Sequence, residues 1–407
     1  MIVWKPRKVV PATSHRIAAS DPIGWQMIAG KGGTTGIPLA AVTISICSAQ
    51  KITATTAKVE EPRARRDRAM PFTILFPDSR SDPLDIETGV VGSDVELINA
   101  RKDSFDAIDV RAWEKSDALV VRVMQIDANV VSHLKRARVV VRNGVGFDVV
   151  DLKACGEAGI AVCNVPDYGT TEVADTAIAM MLTFARGTAA LDAALRADLK
   201  GGWTHVHNVT ARRLRGARFG VIGLGRIGTA AALRARAFGM DVWFYDPHLP
   251  NGAELAFGFT RTRSLSELLG AADVVSIHTP LTTDTRAMID AAAIAAMKPG
   301  AYLINTARGP ICDTAALLDG LKSGKLAAVG LDVLPREPAT LDDSLVAAWK
   351  ANEPWIRGRL LLNAHCGFYS PDSFVDLRRK AIETAYFYLR DGKLENCVNS
   401  EHLRHPR

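Results

Sequence analysis

Residues 218–246 constrain this chain more than any other segment. An apolar run, Arg218-Phe-Gly-Val-Ile222, leads into Gly223, Gly225 and Gly228; a helical stretch follows, and Val242-Trp-Phe-Tyr245 ends on Asp246. In that setting Gly223 permits a tight turn, Gly225 lets the backbone approach a pyrophosphate, and Gly228 lets helix and strand pack closely. The helix, opening at Arg226 and Ile227, would present free N–H groups and its positive dipole end to the phosphates. Asp246 lies 18 residues past Gly228, close to the spacing of a carboxylate that holds the adenosine ribose hydroxyls. Strand, loop, helix and acid in this order predict a dinucleotide site. The acid would repel a 2′-phosphate, and Pro247 and His248 follow it rather than an arginine, so the expected cofactor is NAD.

The chain of 407 residues is long enough for two domains, since domains usually run roughly 100–200 residues. No apolar run approaches the ~18 residues that a membrane span needs, and no membrane association is expected. The six cysteines are scattered, without a CxxC pair or metal spacing. Free thiols, no metal and a reducing, cytoplasmic setting follow. The net charge of +6 is unevenly placed: residues 1–69 hold eleven Lys/Arg against four Asp/Glu, and the remaining 338 hold 39 against 40. A basic leader on a neutral body gives no ground for expecting nucleic acid. Residues 1–69 read as a disordered leader or as sequence upstream of a true start at Met70, with organelle targeting as the competing reading.

From residue 70 onward, strand-like and helix-like segments alternate. Strands are expected at Phe72–Phe76, Asp94–Asn99, Ala118–Val121 and Val139–Arg142, then from Arg218 and at Val274–His278, Tyr302–Asn305, Val329–Val333 and Leu360–Asn363. Such alternation predicts an α/β fold of two Rossmann-like, doubly wound parallel sheets. A helix over Thr171–Arg186 is apolar nearly all round, which predicts burial between domains. The chain past Ser370 reads as one amphipathic helix, Asp372–Leu389, too short for a domain. It is expected to cross back, so that a cofactor domain of residues 170–365 is inserted into a smaller substrate-binding domain of residues 70–169 and 366–407.

Ligands in open parallel sheets bind beyond the carboxyl ends of the strands. Four polar clusters fall at such ends: Arg142-Asn-Gly-Val-Gly146, Asn305-Thr-Ala-Arg-Gly309, Asp332-Val-Leu-Pro-Arg-Glu337 and Asn363-Ala-His-Cys-Gly367. Arg308 has the chemistry to clamp a carboxylate bidentately and polarise an adjacent ketone. His365 could give a proton to the forming alkoxide and take it back in oxidation, because an imidazole changes charge near neutral pH. Glu337 would accept from the other ring nitrogen and fix the tautomer. The Gly144–Gly146 backbone, through Val145 and Gly146, offers N–H groups to a substrate carboxylate. These are the parts for hydride transfer between NAD and a 2-oxo acid. Cys366, beside the histidine, is expected to be a buried small thiol.

With these motifs the chain resembles the D-isomer-specific 2-hydroxyacid dehydrogenases over about residues 72–402. The resemblance rests on Leu303-Ile-Asn-Thr-Ala-Arg-Gly309, Gly223–Gly228 and His365, and puts Arg308, Glu337 and His365 on the family's catalytic Arg, Glu and His. Arg142-Asn-Gly-Val-Gly-Phe-Asp148, Gly159-Ile-Ala-Val-Cys-Asn-Val-Pro166, Phe244-Tyr-Asp-Pro247 and Glu395–Leu403 are similar to the C-terminal-binding-protein branch. That likeness implies substrate contact at Arg142. It also implies cofactor contacts at Val145, the glycine loop, Asp246, His278, Thr279, Pro280, Thr306, Ala307, Arg308 and Asp332, with His365 at the nicotinamide. The branch has a tryptophan where this chain has Phe368, so a different or looser substrate pocket is expected. Homodimers are typical of the family, and Leu191–Val209 would suit one. The resemblance thus implies an NAD-dependent enzyme of a small 2-oxo or 2-hydroxy acid. The alternative is an NAD(H)-gated partner-binding, corepressor-like module with little turnover.

Overall fold

The computed structural model describes residues 72–407; the expectations for residues 1–69 lie outside them. Twelve strands form two all-parallel sheets. The first joins β1 (Phe72–Phe76), β2 (Val95–Asn99), β3 (Ala118–Val121), β4 (Val139–Arg142) and β5 (Ala161–Asn164) in the order β2-β1-β3-β4-β5. The second joins β6 (Arg218–Ile222), β7 (Asp241–Tyr245), β8 (Thr260–Arg261), β9 (Val274–Ile277), β10 (Ala301–Asn305), β11 (Leu326–Leu331) and β12 (Leu360–Leu362) in the order β12-β11-β10-β9-β6-β7-β8. Strands such as Ala-Leu-Val-Val and Val-Val-Ser-Ile are buried at every position. That is the pattern of a strand covered by helices on both faces. Four apolar clusters accordingly line the two faces of each sheet.

Each sheet has a point where the strand order reverses. In the second it lies between β6 and β9, and β6 runs straight into the glycine loop. In the first it lies between β1 and β3. Crevices beyond the carboxyl ends of such strands are where open α/β sheets take ligands.

The Thr170–Arg186 helix departs from expectation. Its buried face, including Ala174, Ala177, Ile178, Met181 and Phe184, packs on the Arg226–Ala237 helix and on β10 and β11. It therefore belongs to one face of the seven-stranded sheet and is not wedged between domains. Its apolarity serves that sheet, leaving Thr171, Asp175 and Ala179 exposed along the opposite edge. The β5 strand, not singled out from the sequence, forms the edge of the first sheet.

The return helix spans Pro371–Asp391. Ser370 caps it, with Ser373 completing a reciprocal capping box, and Gly392 ends it in the left-handed conformation at φ 69°. Leu377, Ala381, Ile382, Ala385 and Leu389 face β3, β4 and the Asp85–Val91 helix. The seven-stranded sheet is thus inserted between the two chain segments of the smaller unit. A buried ion pair helps pin the return: Arg378 Nε and Nη2 donate to Glu87 at 3.0 and 2.6 Å, with side chains only 10% and 3% exposed. Removing one partner of a buried pair leaves the other charge uncompensated. Arg378→Ala is expected to lower stability by about 3–5 kcal/mol in urea unfolding; a loss within experimental scatter would show that the pair does not hold the return helix.

Candidate active site

The β6 loop is built as its glycines require. Gly223 adopts φ 87°, and a Cβ on Gly228 would lie 2.1 Å from the Gly223 carbonyl oxygen, so any larger residue would push the helix off the strand. Gly225 caps the Arg226–Ala237 helix without a side chain over it, and a Cβ there would meet open space. Arg226 is exposed at the mouth, and Ile227 turns toward the core. Asp246 ends β7 with Oδ2 accepting from the Leu224 N–H at 3.0 Å and Oδ1 from the His248 N–H at 2.9 Å. Its carboxylate thus borders the glycine loop.

His278 and Thr279 close the loop from the β9 side, their backbone and methyl lying about where a Gly223 side chain would go. Pro280 follows, its carbonyl accepting from Thr285 Oγ1 at 2.7 Å. The His278 ring contacts Ser276 Oγ at 2.9 Å, and burial pulls its pKa down to about 4, so it is neutral. Thr306 Oγ1 is buried without a partner. A bare helix N-terminus, an open cradle over Gly225, a carboxylate at the next strand end and an orphaned hydroxyl all fit a dinucleotide.

Asn305 shapes the β10 end: its amide donates to the Arg308 carbonyl at 2.9 Å and accepts from the Ala307 N–H at 2.9 Å. This turn aims Arg308 toward the first sheet. There Arg308 Nε donates to Asp148 Oδ1 at 2.8 Å, while Nη1 donates to the Ala307 carbonyl. A Cβ on Gly146 would sit 1.5 Å from Arg308 Nη2, so the guanidinium rests on bare backbone. Asp148 is a residue to which sequence reasoning assigned no role, although it ends the quoted Arg142–Asp148 motif. Burial works against its ionisation, but the charge and hydrogen bond of Arg308 hold it below the ordinary carboxylate range.

Arg142, at the end of β4, lies close enough to Arg308 for the two charges to repel. Burial first, and Arg308 second, pull its pKa down to about 10, and its Nε is buried with no partner. The carbonyl of Val145 accepts from Asn164 Nδ2 at 2.6 Å, whereas the Val145 and Gly146 N–H groups have no acceptor among the described residues. Tyr168, also not foreseen, meets Phe368 edge-on with ring centroids 5.9 Å apart. Burial raises the Tyr168 pKa, and Arg142 and Arg308 partly oppose that.

Glu337 and His365 meet as expected: Nδ1 of the ring lies 2.7 Å from Glu337 Oε2. Glu337 Oε1 accepts from the Leu334 N–H at 2.9 Å. Burial alone would raise the Glu337 pKa, but the bonds from His365 and Leu334, with Arg308 nearby, hold it below the usual value. His365 is in the left-handed region at φ 53°, and its N–H donates to the Asp332 carbonyl at 2.8 Å. A non-glycine residue held there is a mark of functional sites. Asp332, 2% exposed, accepts from the Cys366 and Gly367 N–H groups. Its pKa is raised by burial despite those bonds. Cys366 corrects an expectation: its thiol is exposed, not buried, because the turn that directs His365 toward Glu337 sends the next side chain outward. No cluster of three His, Cys, Asp or Glu side chains suited to a metal occurs among the described residues. No single helix among them is long and apolar enough to cross a membrane.

Residues 178–367 match the family model of the D-isomer specific 2-hydroxyacid dehydrogenase NAD binding domain. D-3-phosphoglycerate dehydrogenase of Mycobacterium leprae is 38% identical over 230 residues, 56% of this chain and 43% of that protein. The chain spans less than half the length of the curated relatives it matches. A glyoxylate reductase from Paecilomyes thermophila superposes with a TM-score of 0.72 at 28% identity, covering 82% of this chain and all of that one. D-lactate dehydrogenase of Aquifex aeolicus, complexed with NAD and lactic acid, gives 0.68 at 27% identity, covering 78% and 95%. Residues 178–367 thus belong to the D-isomer specific 2-hydroxyacid dehydrogenase family as its NAD binding domain, and the two parallel sheets share the fold of the solved relatives.

Proposed function

We propose that this protein is an NAD-dependent oxidoreductase that interconverts a 2-oxo acid and its D-2-hydroxy acid. The observation that carries the reading is the His365–Glu337 contact at 2.7 Å, at the ends of β12 and β11, beside the β10 end that carries Arg308 and on the same side of the sheet as the glycine loop. Residues 170–365 are assigned to the cofactor, and residues 70–169 with 366–407 to the substrate. Bound over the glycine loop, NAD would supply or accept the hydride. Arg308 and Arg142, two guanidiniums with one carboxylate between them, hold the substrate carboxylate, helped by the Val145 and Gly146 N–H groups. Arg308 polarises the ketone. His365 Nε2 donates the proton to the ketone oxygen and recovers it in the reverse direction, while Glu337 fixes the tautomer and stabilises the imidazolium. Asp332 braces the turn that presents the ring, and Phe368 with Tyr168 walls the pocket. The carboxylate of Asp246 favours NAD over a 2′-phosphorylated cofactor.

His365→Ala is expected to slow turnover about 10²–10⁴-fold on a panel of 2-oxo acids followed by NADH absorbance, with NADH affinity intact. Arg308→Ala should weaken both substrate binding and turnover. Near-normal rates in either variant would end this assignment.

Asp148 acts as a positioning residue through Arg308. Asp148→Asn keeps the shape but removes the charge, and should raise KM for the 2-oxo acid more than it lowers kcat. Combined with Arg308→Ala it should add little, since one effect runs through the other. Fully additive losses would refute the coupling.

The Thr188–Ala197 helix and the segment after it expose Leu199 (77%), Trp203 (79%) and Val206 (61%). We assign this arm to a homodimer contact, because clustered exposed apolar groups mark association surfaces. Trp203→Asp should shift the sedimentation coefficient from dimer to monomer; a wild-type chain that sediments as a monomer speaks against it. The scattered cysteines support a cytoplasmic setting.

A further inference from the structure

We infer that Cys163 and Cys397 form a modification site, a thiol pair that closes reversibly to a disulfide on exchange with a small-molecule disulfide such as oxidised glutathione. Cys163 is fully buried on the edge strand β5, and Cys397 is half-buried on the segment that follows the return helix. The two residues face each other in an antiparallel bridge. Flanking bonds run from the Asn164 N–H to the Asn396 carbonyl at 3.3 Å and from the Val398 N–H to the Val162 carbonyl at 2.8 Å. That arrangement makes them a non-hydrogen-bonded pair, in which Cα atoms stand about 4.5 Å apart with side chains on the same face. A disulfide spans Cα separations from about 4.4 Å upward, so the bond forms without moving either backbone far.

The chemistry is polarised in a useful direction. The Cys397 sulfur lies 3.3 Å from Asn399 Oδ1; the neighbouring Cys163 holds the Cys397 pKa down at about 6, while Cys163 is pushed up. Cys397 is also the more accessible of the two, as an attacking sulfur should be. Cys155 and Cys312, both raised to about 12 by burial, lack that activation. In the first step the Cys397 thiolate attacks one sulfur of oxidised glutathione, giving a Cys397–glutathione mixed disulfide and expelling glutathione thiolate. In the second, Cys163 loses its proton to the departing thiolate and attacks the Cys397 sulfur, releasing a second glutathione. Two protein thiols are oxidised, and one glutathione disulfide is reduced to two thiols. The bond would tie the 396–399 segment to the sheet edge one residue from Asn164, the donor to Val145.

The test uses the full chain, reduced and then equilibrated with oxidised glutathione, with free thiols counted by maleimide mass labelling after acid quench and denaturation. Of six thiols, two should be lost and regained on dithiothreitol, with a cross-linked peptide joining Cys163 to Cys397. Cys397→Ser should form no internal disulfide. Cys163→Ser should accumulate a glutathione adduct on Cys397, and Cys155→Ser should still lose two thiols. Full reactivity of all six, or loss of a thiol pair by Cys397→Ser, overturns the assignment.

Discussion

Two guanidiniums share one partly dry cleft, and the arrangement around them follows from that fact. Arg142 is buried with an unpartnered Nε beside Arg308, and Asp148 bonds Arg308 directly while acting on Arg142 only through space. Burying like charges side by side is unfavourable unless an anion joins them. The bare backbone at Gly146 exists to let Arg308 lie across it. On the proposed function, the carboxylate end of a 2-oxo acid would complete this cluster.

The sheets make the convergence possible. All strands in each sheet run parallel, so every strand end that carries chemistry opens on the same side. Two buried polar residues then set the local aim. Asn305 folds the loop that throws Arg308 across to the first sheet. Asp332 collects the N–H groups of Cys366 and Gly367 and holds His365 in a left-handed turn against Glu337. Neither side chain needs to touch substrate for the site to depend on it, because a hydrogen-bonded buried polar group fixes a loop more tightly than apolar packing does.

The return of the chain is equally part of the site. His365 and Phe368 lie on the connection between the last strand and the Pro371–Asp391 helix, and that helix is anchored on the first sheet through Arg378 and Glu87. The Cys163–Cys397 bridge continues the same connection to the edge of that sheet. One segment thus carries the imidazole and Phe368 and closes the smaller unit.

Periodicity and spacing were enough for most of the architecture. Apolar runs bounded by turn residues give β1, β3, β4 and β6 with little ambiguity, because a strand covered on both faces must be apolar throughout. The glycine loop with Asp246 likewise reflects local backbone demands written in the chain, and Arg308, Glu337 and His365 were marked by their places after strand ends. The burial partner of the Thr170–Arg186 helix, the exposure of Cys366 and the engagement of Asp148 were not legible there. Each is settled by residues distant in sequence that meet only after the sheets form. A helix with an apolar surface does not name which surface covers it, a turn decides the direction of a thiol, and an aspartate reaches its arginine 160 residues on only through the tertiary fold.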